Sequence, residues 1–262
     1  MPAVSFDLFA PGSPQTLVLL AARVGGLVLV APVFSTKAVP VTVKAAIIVL
    51  LTVLLQSMAL AQVSIIPRIT PETFVAESLV GFALGLGAAL LVGAGSVAGD
   101  LMGVQIGLSG ASILDPINNT SENVLGVFGN LFAITLLLAV DAHLVMIDAV
   151  SRSVHMLPIG SGLHAEGLRA LVRAGSVLFA LGLQFAAPVV AAVLVANTAL
   201  AILSRAAPQL NILSVAFPVQ IGIGLVGLGA SVPFIGAFYH GWSGVYNDTL
   251  DHVLSAFMRG AP

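Results

Sequence analysis

Among the ionisable side chains inside or at the margins of long apolar runs, Arg23, Asp100, Asp141 and His143 are the candidates for chemistry. In hydrocarbon such groups are costly, and where they persist they mark ion or proton pathways or pair with one another. Asp141 and His143 offer the sharpest chemistry, a carboxylate and an imidazole suited to relaying a proton. Two residues apart on a helix, however, they point about 200° from each other. The competing reading is structural, with most of these groups at helix ends and Asp141 and His143 near the close of the fourth helix, where water is within reach. Asp148 and Arg152 stand four apart, the spacing of a favourable helical ion pair. His155 and His164 fall in a polar connection and read as solvated.

Catalytic constellations are missing. The chain has no G-x-S-x-G, no Walker A pattern and no H-E-x-x-H. Gly93-Ala94-Gly95-Ser96-Val97-Ala98 fits a relaxed dinucleotide fingerprint, but no strand precedes it and the stretch reads as apolar helix. The sequons at Asn118, Asn119 and Asn247 have meaning only in a glycosylating secretory pathway. Without cysteine there is no disulfide, thiolate metal site or Cys nucleophile. Neither a cofactor nor a metal is expected. An intramembrane enzyme is disfavoured, because no acid–base or metal cluster falls on a common helix face.

The elements that must hold these residues are helices in a bilayer. Hydrophobic residues make up 58% of the 262 positions and charged residues 8%, against about 25% charged in a soluble domain. Mean hydropathy is +1.11 over the whole chain. Six apolar stretches, 17–34, 41–61, 74–98, 125–147, 171–203 and 212–238, are each long enough to span, since about 20 helical residues cross a hydrocarbon core. They lack the period-2 alternation of a membrane barrel, and an open sheet would leave backbone groups unpaired in lipid. The breaks carry turn chemistry: Ala31-Pro32, Val39-Pro40, Pro67 to Pro71, the polar run Asp115-Pro116-Ile117-Asn118-Asn119-Thr120-Ser121, Pro158 to Gly162, and Ser204 to Pro208. Short connections predict antiparallel neighbours. Run 171–203 would be about 50 Å long as a helix, and Pro188 is expected to kink or interrupt it.

Charge in the connections leaves orientation open. With the N-terminus outside, Lys37, Lys44 and Arg205 face in, against Arg68, Arg152, Arg169, Arg173 and Arg259 on the other side. A net charge of −2 without a basic stripe argues against nucleic acid as a partner. Residues 1–16 hold Asp7 and no Lys or Arg, so no signal-peptide pattern is present and the segment is expected to stay.

Small residues form the most ordered local pattern. Gly81, Gly85, Ala89 and Gly93 make one i,i+4 row, and Gly95, Gly99, Gly103, Gly107 and Ala111 make the next, carrying the third helix past Ala98. Such rows let helix backbones approach closely, either within the chain or between subunits.

Several blocks in order resemble the FliR family, called SctT in the related virulence injectisomes. They are Ala31-Pro32-Val33-Phe34 with Val39-Pro40 and Val43-Lys44; Gly103-Val104-Gln105-Ile106-Gly107-Leu108-Ser109 leading to Asp115-Pro116; and Asp141-Ala142-His143 with His155-Met156-Leu157-Pro158-Ile159-Gly160. Ser204-Arg205-Ala206-Ala207-Pro208-Gln209-Leu210-Asn211 is the most specific block. The resemblance implies an all-α, polytopic membrane protein of antiparallel helical hairpins. A FliP-like part would cover 1–165, and a FliQ-like hairpin with a C-terminal tail would cover 166–262. It also implies assembly with FliP and FliQ copies and FlhB into a bacterial inner-membrane gate of the flagellar basal body, through which unfolded flagellar subunits pass. The loop at about 106–119 would plug that channel, with Ile106, Gly107, Leu108, Ser109, Gly110, Ala111, Ser112, Ile113, Leu114, Asp115 and Pro116 as its residues. That stretch is small and uncharged up to Leu114, suited to a tight seal that moves without burying charge; an ordinary interhelical loop is the alternative. It lacks the aromatic residues expected after Ser109. Helix packing and subunit contact are expected at Gly81, Gly85, Gly95, Gly99 and Gly103, and at Arg205, Pro208 and Gln209. The runner-up function is a small-molecule or ion transporter, which would need a midplane polar site and often shows repeat symmetry.

Overall fold

A computed structural model of the chain describes residues 12–62, 66–108, 123–161, 165–209 and 212–258. Among the described residues all regular structure is helical. Helix α1 (Ser13–Val30) stops where Ala31 turns extended ahead of Pro32, as the residue before a proline is pushed to do. A single turn, α2 (Pro32–Ser35), leads to α3 (Val41–Gln62). Helix α4 (Pro71–Ile106) opens with Pro71 in its first turn and a reciprocal pair, Thr73 N donating to Thr70 Oγ1 at 3.1 Å and Thr70 N to Thr73 Oγ1 at 2.9 Å, which together satisfy two orphan amides. It runs 36 residues, about 54 Å, and closes on Gly107 at φ 88°. Extension of this helix past Ala98 is therefore seen, as far as Ile106.

The fourth apolar run is not one helix. It divides into α5 (Val124–Ala139) and α6 (Ala142–Met156), bent by 69° at the break. The bend sits on Asp141, whose φ of 54° places it in the left-handed region that Asp tolerates better than most residues. Hydropathy reads Val140 to Ala142 as continuous and carries no trace of the turn. Helix α7 (Ala165–Ala206) continues unbroken through Pro188, and α8 (Ile212–His240) through Pro218 and Pro233. The expected interruption at Pro188 is absent; proline removes one donor, and neighbouring groups in a membrane helix can absorb that loss. The segment read as a C-terminal tail contains a further helix, α9 (Trp242–Met258).

Among the described residues, five helical segments are long and apolar enough to cross a membrane: Ser13–Val30, Val41–Gln62, Pro71–Ile106, Ala180–Ala206 and Ser214–His240, with the bent α5–α6 pair as a sixth if taken as one span.

The chain groups into two compact units. One holds α1, α2, α3, α4 as far as Leu90, α6, α7 as far as Gly175, and α9 from Ser243. Its interior includes Leu19, Leu20, Leu27, Leu84 and Met146, all fully buried. Helix α9 joins it through Tyr246, Leu250, Val253, Leu254 and Phe257, and the Tyr246 hydroxyl donates to Leu84 O at 2.8 Å. Burial pushes that phenol above its usual range, while nearby Arg152 pulls the other way. The second unit holds α4 from Leu91, α5, α7 from Ser176, and α8. Phe185 lies edge-on to Phe238 with centroids 5.0 Å apart, and the Tyr239 hydroxyl donates to Leu91 O at 3.1 Å.

Candidate functional site

Helices α1 and α4 touch backbone to backbone. A Cβ on Gly81 would overlap the Arg23 carbonyl oxygen, one on Gly85 would press on Leu27 O and Ala31 N at 3.0 Å, and one on Gly26 would strike Ser78 O. Close approach of this kind is what small residues provide in membrane helices. Here it sets Arg23 against Glu77, one turn before Gly81. Arg23 lies in the middle of α1 and is fully buried. Its Nε donates to Glu77 Oε2 at 2.6 Å; Nη1 donates to Ser153 O at 3.1 Å and Leu157 O at 2.9 Å. Glu77 Oε1 accepts from Gly160 N at 2.8 Å, where Gly160 holds φ 88°. One buried ion pair thus ties α1, α4, the end of α6 and the turn after it. Among the described residues, Arg23 Nη2 has no hydrogen-bond partner.

Helix α4 makes a second glycine seam with α5. A Cβ on Gly99 would overlap Leu125 O, one on Gly95 would reach Gly129 O at 2.8 Å, and one on Gly103 would occupy the place of the Asn123 amide. That amide caps α5: Asn123 Oδ1 accepts from Leu125 N at 3.1 Å, and its Nδ2 donates to Asp100 O at 3.1 Å. The Asp100 carboxylate lies against Gly126, in the space a Cβ would take. Beside it opens a cavity of about 490 Å³ lined by Ser96, Asp100, Asn123, Gly126, Val127, Asn130 and Leu131.

The expected plug begins at the end of α4. Ile106 is fully buried and rests where Gly224 of α8 has no side chain; Gly107 lies beside Phe217, and Leu108 follows in the turn. Ser109, Gly110, Ala111, Ser112, Ile113, Leu114, Asp115 and Pro116 lie outside the described residues. Arg205, at the end of α7, and Pro208 and Gln209 beyond it are exposed. Asp141 and His143 do not form a relay: Asp141 is the exposed left-handed residue before α6, His143 is half-buried, and no hydrogen bond joins them. Asp148 and Arg152 do pair, at 3.2 Å, and Arg152 also bonds Asn247 and faces Asp251 at 3.8 Å. Among the described residues no cluster of three or more His, Cys, Asp or Glu side chains is placed to hold a metal.

Sequence reasoning missed Glu77, Ser153 and Gly160, and the partner glycines Gly26, Gly126 and Gly129. Gly26 and Gly129 were within reach, because each lies in an apolar run that needs a small-residue face to meet another.

Long apolar helices joined by glycine seams, with a buried ion pair and no assembled catalytic group among the described residues, define a polytopic helical membrane protein. Residues 15–243 match the family described as Bacterial export proteins, family 1. A flagellar biosynthetic protein FliR of Pectobacterium carotovorum subsp. carotovorum is 36% identical over 218 residues, covering 82% of this chain and 84% of the relative. FliR proteins of Escherichia coli K12 and Caulobacter vibrioides are 33% and 28% identical, over 86% and 89% of this chain and 87% and 93% of theirs. The chain belongs to the FliR family of bacterial export proteins.

Proposed function

We propose that this chain is a non-catalytic subunit of the flagellar type III protein-export gate of the bacterial inner membrane, helping to form and plug the channel that unfolded flagellar subunits traverse. The observation that carries this reading is the family match over residues 15–243, together with relatives that are named flagellar biosynthetic proteins and aligned over most of their length. FliP, FliQ and FlhB are the proposed companions, and the FliP-like (1–165) and FliQ-like (166–262) parts are a proposal about descent of the two sequence halves. The geometry lends support where α4 ends. Ile106 rests against α8 and Gly107 turns the chain, which supports a separate segment, the proposed plug from Ile106 onward, beginning where the helix stops. The cavity at Asp100 is a feature that favours a solute transporter, but a single carboxylate at the end of a helix seam is a weak substrate site.

Excising residues 107–113 tests the plug. The assembled complex should form normally and pass ions or small solutes that the intact complex holds back. Background conductance in a verified complex would leave the plug assignment without support.

A further inference from the structure

The cavity beside Asp100 has a composition that suits neither water nor lipid. Neither the Asp100 carboxylate nor the Asn130 amide has a hydrogen-bond or ion-pair partner among the described residues. Asp100 is itself exposed, and beyond the polar lining of Ser96, Asn123 and Asn130 the rim is aliphatic: Leu131 is 60% exposed and Val127 40%, and Val104, one turn along α4 from Asp100, is 64% exposed. In hydrocarbon the ionised carboxylate would cost about 2.5–3.5 kcal/mol on insertion scales. In water the aliphatic rim would be the misplaced part. A protein surface that is apolar with one cation at its centre satisfies both.

Resting on the gate reading above, we propose that this cavity receives an arginine or lysine side chain from an apolar helix of a neighbouring subunit. The aliphatic stem would lie on Val127 and Leu131, and the charged head would reach Asp100, as long cationic side chains do at apolar borders. Asn130 Oδ1 and Ser96 Oγ supply further acceptors. Arginine fits better than lysine, because its planar fork can serve the carboxylate and a second oxygen together. A metal ion fits worse, since Asp100 is the only anionic group in the lining and a hard divalent cation calls for several oxygen ligands. The room is ample at about 490 Å³.

The test places a photoreactive residue at Leu131 in the full chain, within the complex assembled in native membranes. The expected adduct is with a neighbouring membrane subunit, at a position within one helical turn of an Arg or Lys. Asp100→Asn should reduce that adduct at least about tenfold, Asp100→Glu should retain it, and Asp100→Arg with the partner's cation changed to Asp should restore it. Adducts with lipid alone, with a peptide lacking Arg and Lys, or at equal yield in Asp100→Asn would overturn the proposal while the gate reading stands. An intact chain that co-purifies with no other membrane protein overturns both.

Discussion

At the scale of single residues the chain depends most on a charge pair that hydrophobicity forbids. Arg23 and Glu77 lie 54 positions apart in sequence and 2.6 Å apart in space, both buried. Removing one partner from such a pair leaves an uncompensated buried charge, worth about 3–5 kcal/mol, whereas replacing both by apolar groups is often neutral. Arg23→Met and Glu77→Leu singly should therefore each lower the thermal stability of the purified complex sharply, and the double variant should recover most of the loss. A double variant as unstable as the sum of the two would mean that each residue acts alone. Arg23 was legible as a charge in an apolar run. Glu77 lies in an apolar run as well, 74–98, but no spacing rule links it to Arg23, 54 positions away. Only the close approach at Gly81 brings the two together.

At the scale of elements the glycines sort into two kinds that spacing alone cannot separate. Gly99 faces the backbone of Leu125, so any side chain there forces α4 and α5 apart. Gly222 and Gly229 of α8 stand one heptad apart, and a Cβ at either meets nothing within 4 Å. Both kinds recur along one helix face, at i,i+4 in α4 and i,i+7 in α8. Gly99→Leu should abolish accumulation of the chain, because the α4–α5 seam cannot close. Gly229→Ala should leave accumulation intact or raise it slightly, since Ala favours a helix interior by about 1 kcal/mol over Gly. Immunoblots of membrane fractions decide between them, and normal levels of Gly99→Leu would remove the seam from the account. The six apolar stretches mapped onto helices because length and hydropathy report burial in lipid directly. The break at Asp141 escaped notice because a left-handed backbone is a property of one dihedral angle, and α9 did because an amphipathic helix of mixed composition resembles a polar tail.

At the scale of the whole molecule, composition settled the solvent and left the partners to the surface. Large apolar side chains are exposed on nearly every long helix: Leu29 at 69%, Val49 at 63%, Val195 at 69%, Ile202 at 66% and Val226 at 74%. Part of that surface belongs to lipid, but α4 at about 54 Å and α7 at about 63 Å outrun a hydrocarbon core of roughly 30 Å. The first turns of α7 carry exposed Arg169 and Arg173 and suit water, but apolar helix beyond the bilayer, as in α4, must pack on protein because it is otherwise exposed to water. Such a chain made alone should be a target for proteolysis, since unsatisfied apolar surface is what quality control reads. Its half-life in membranes should lengthen several-fold when the neighbouring export components are made with it, and its detergent-extracted form should shift from heterogeneous aggregates to one defined complex. Pulse-chase labelling with size-exclusion chromatography measures both. A lone chain that is equally long-lived and elutes as a uniform monomer would show that its helices satisfy themselves, and a gate built from shared helix faces would no longer follow from them.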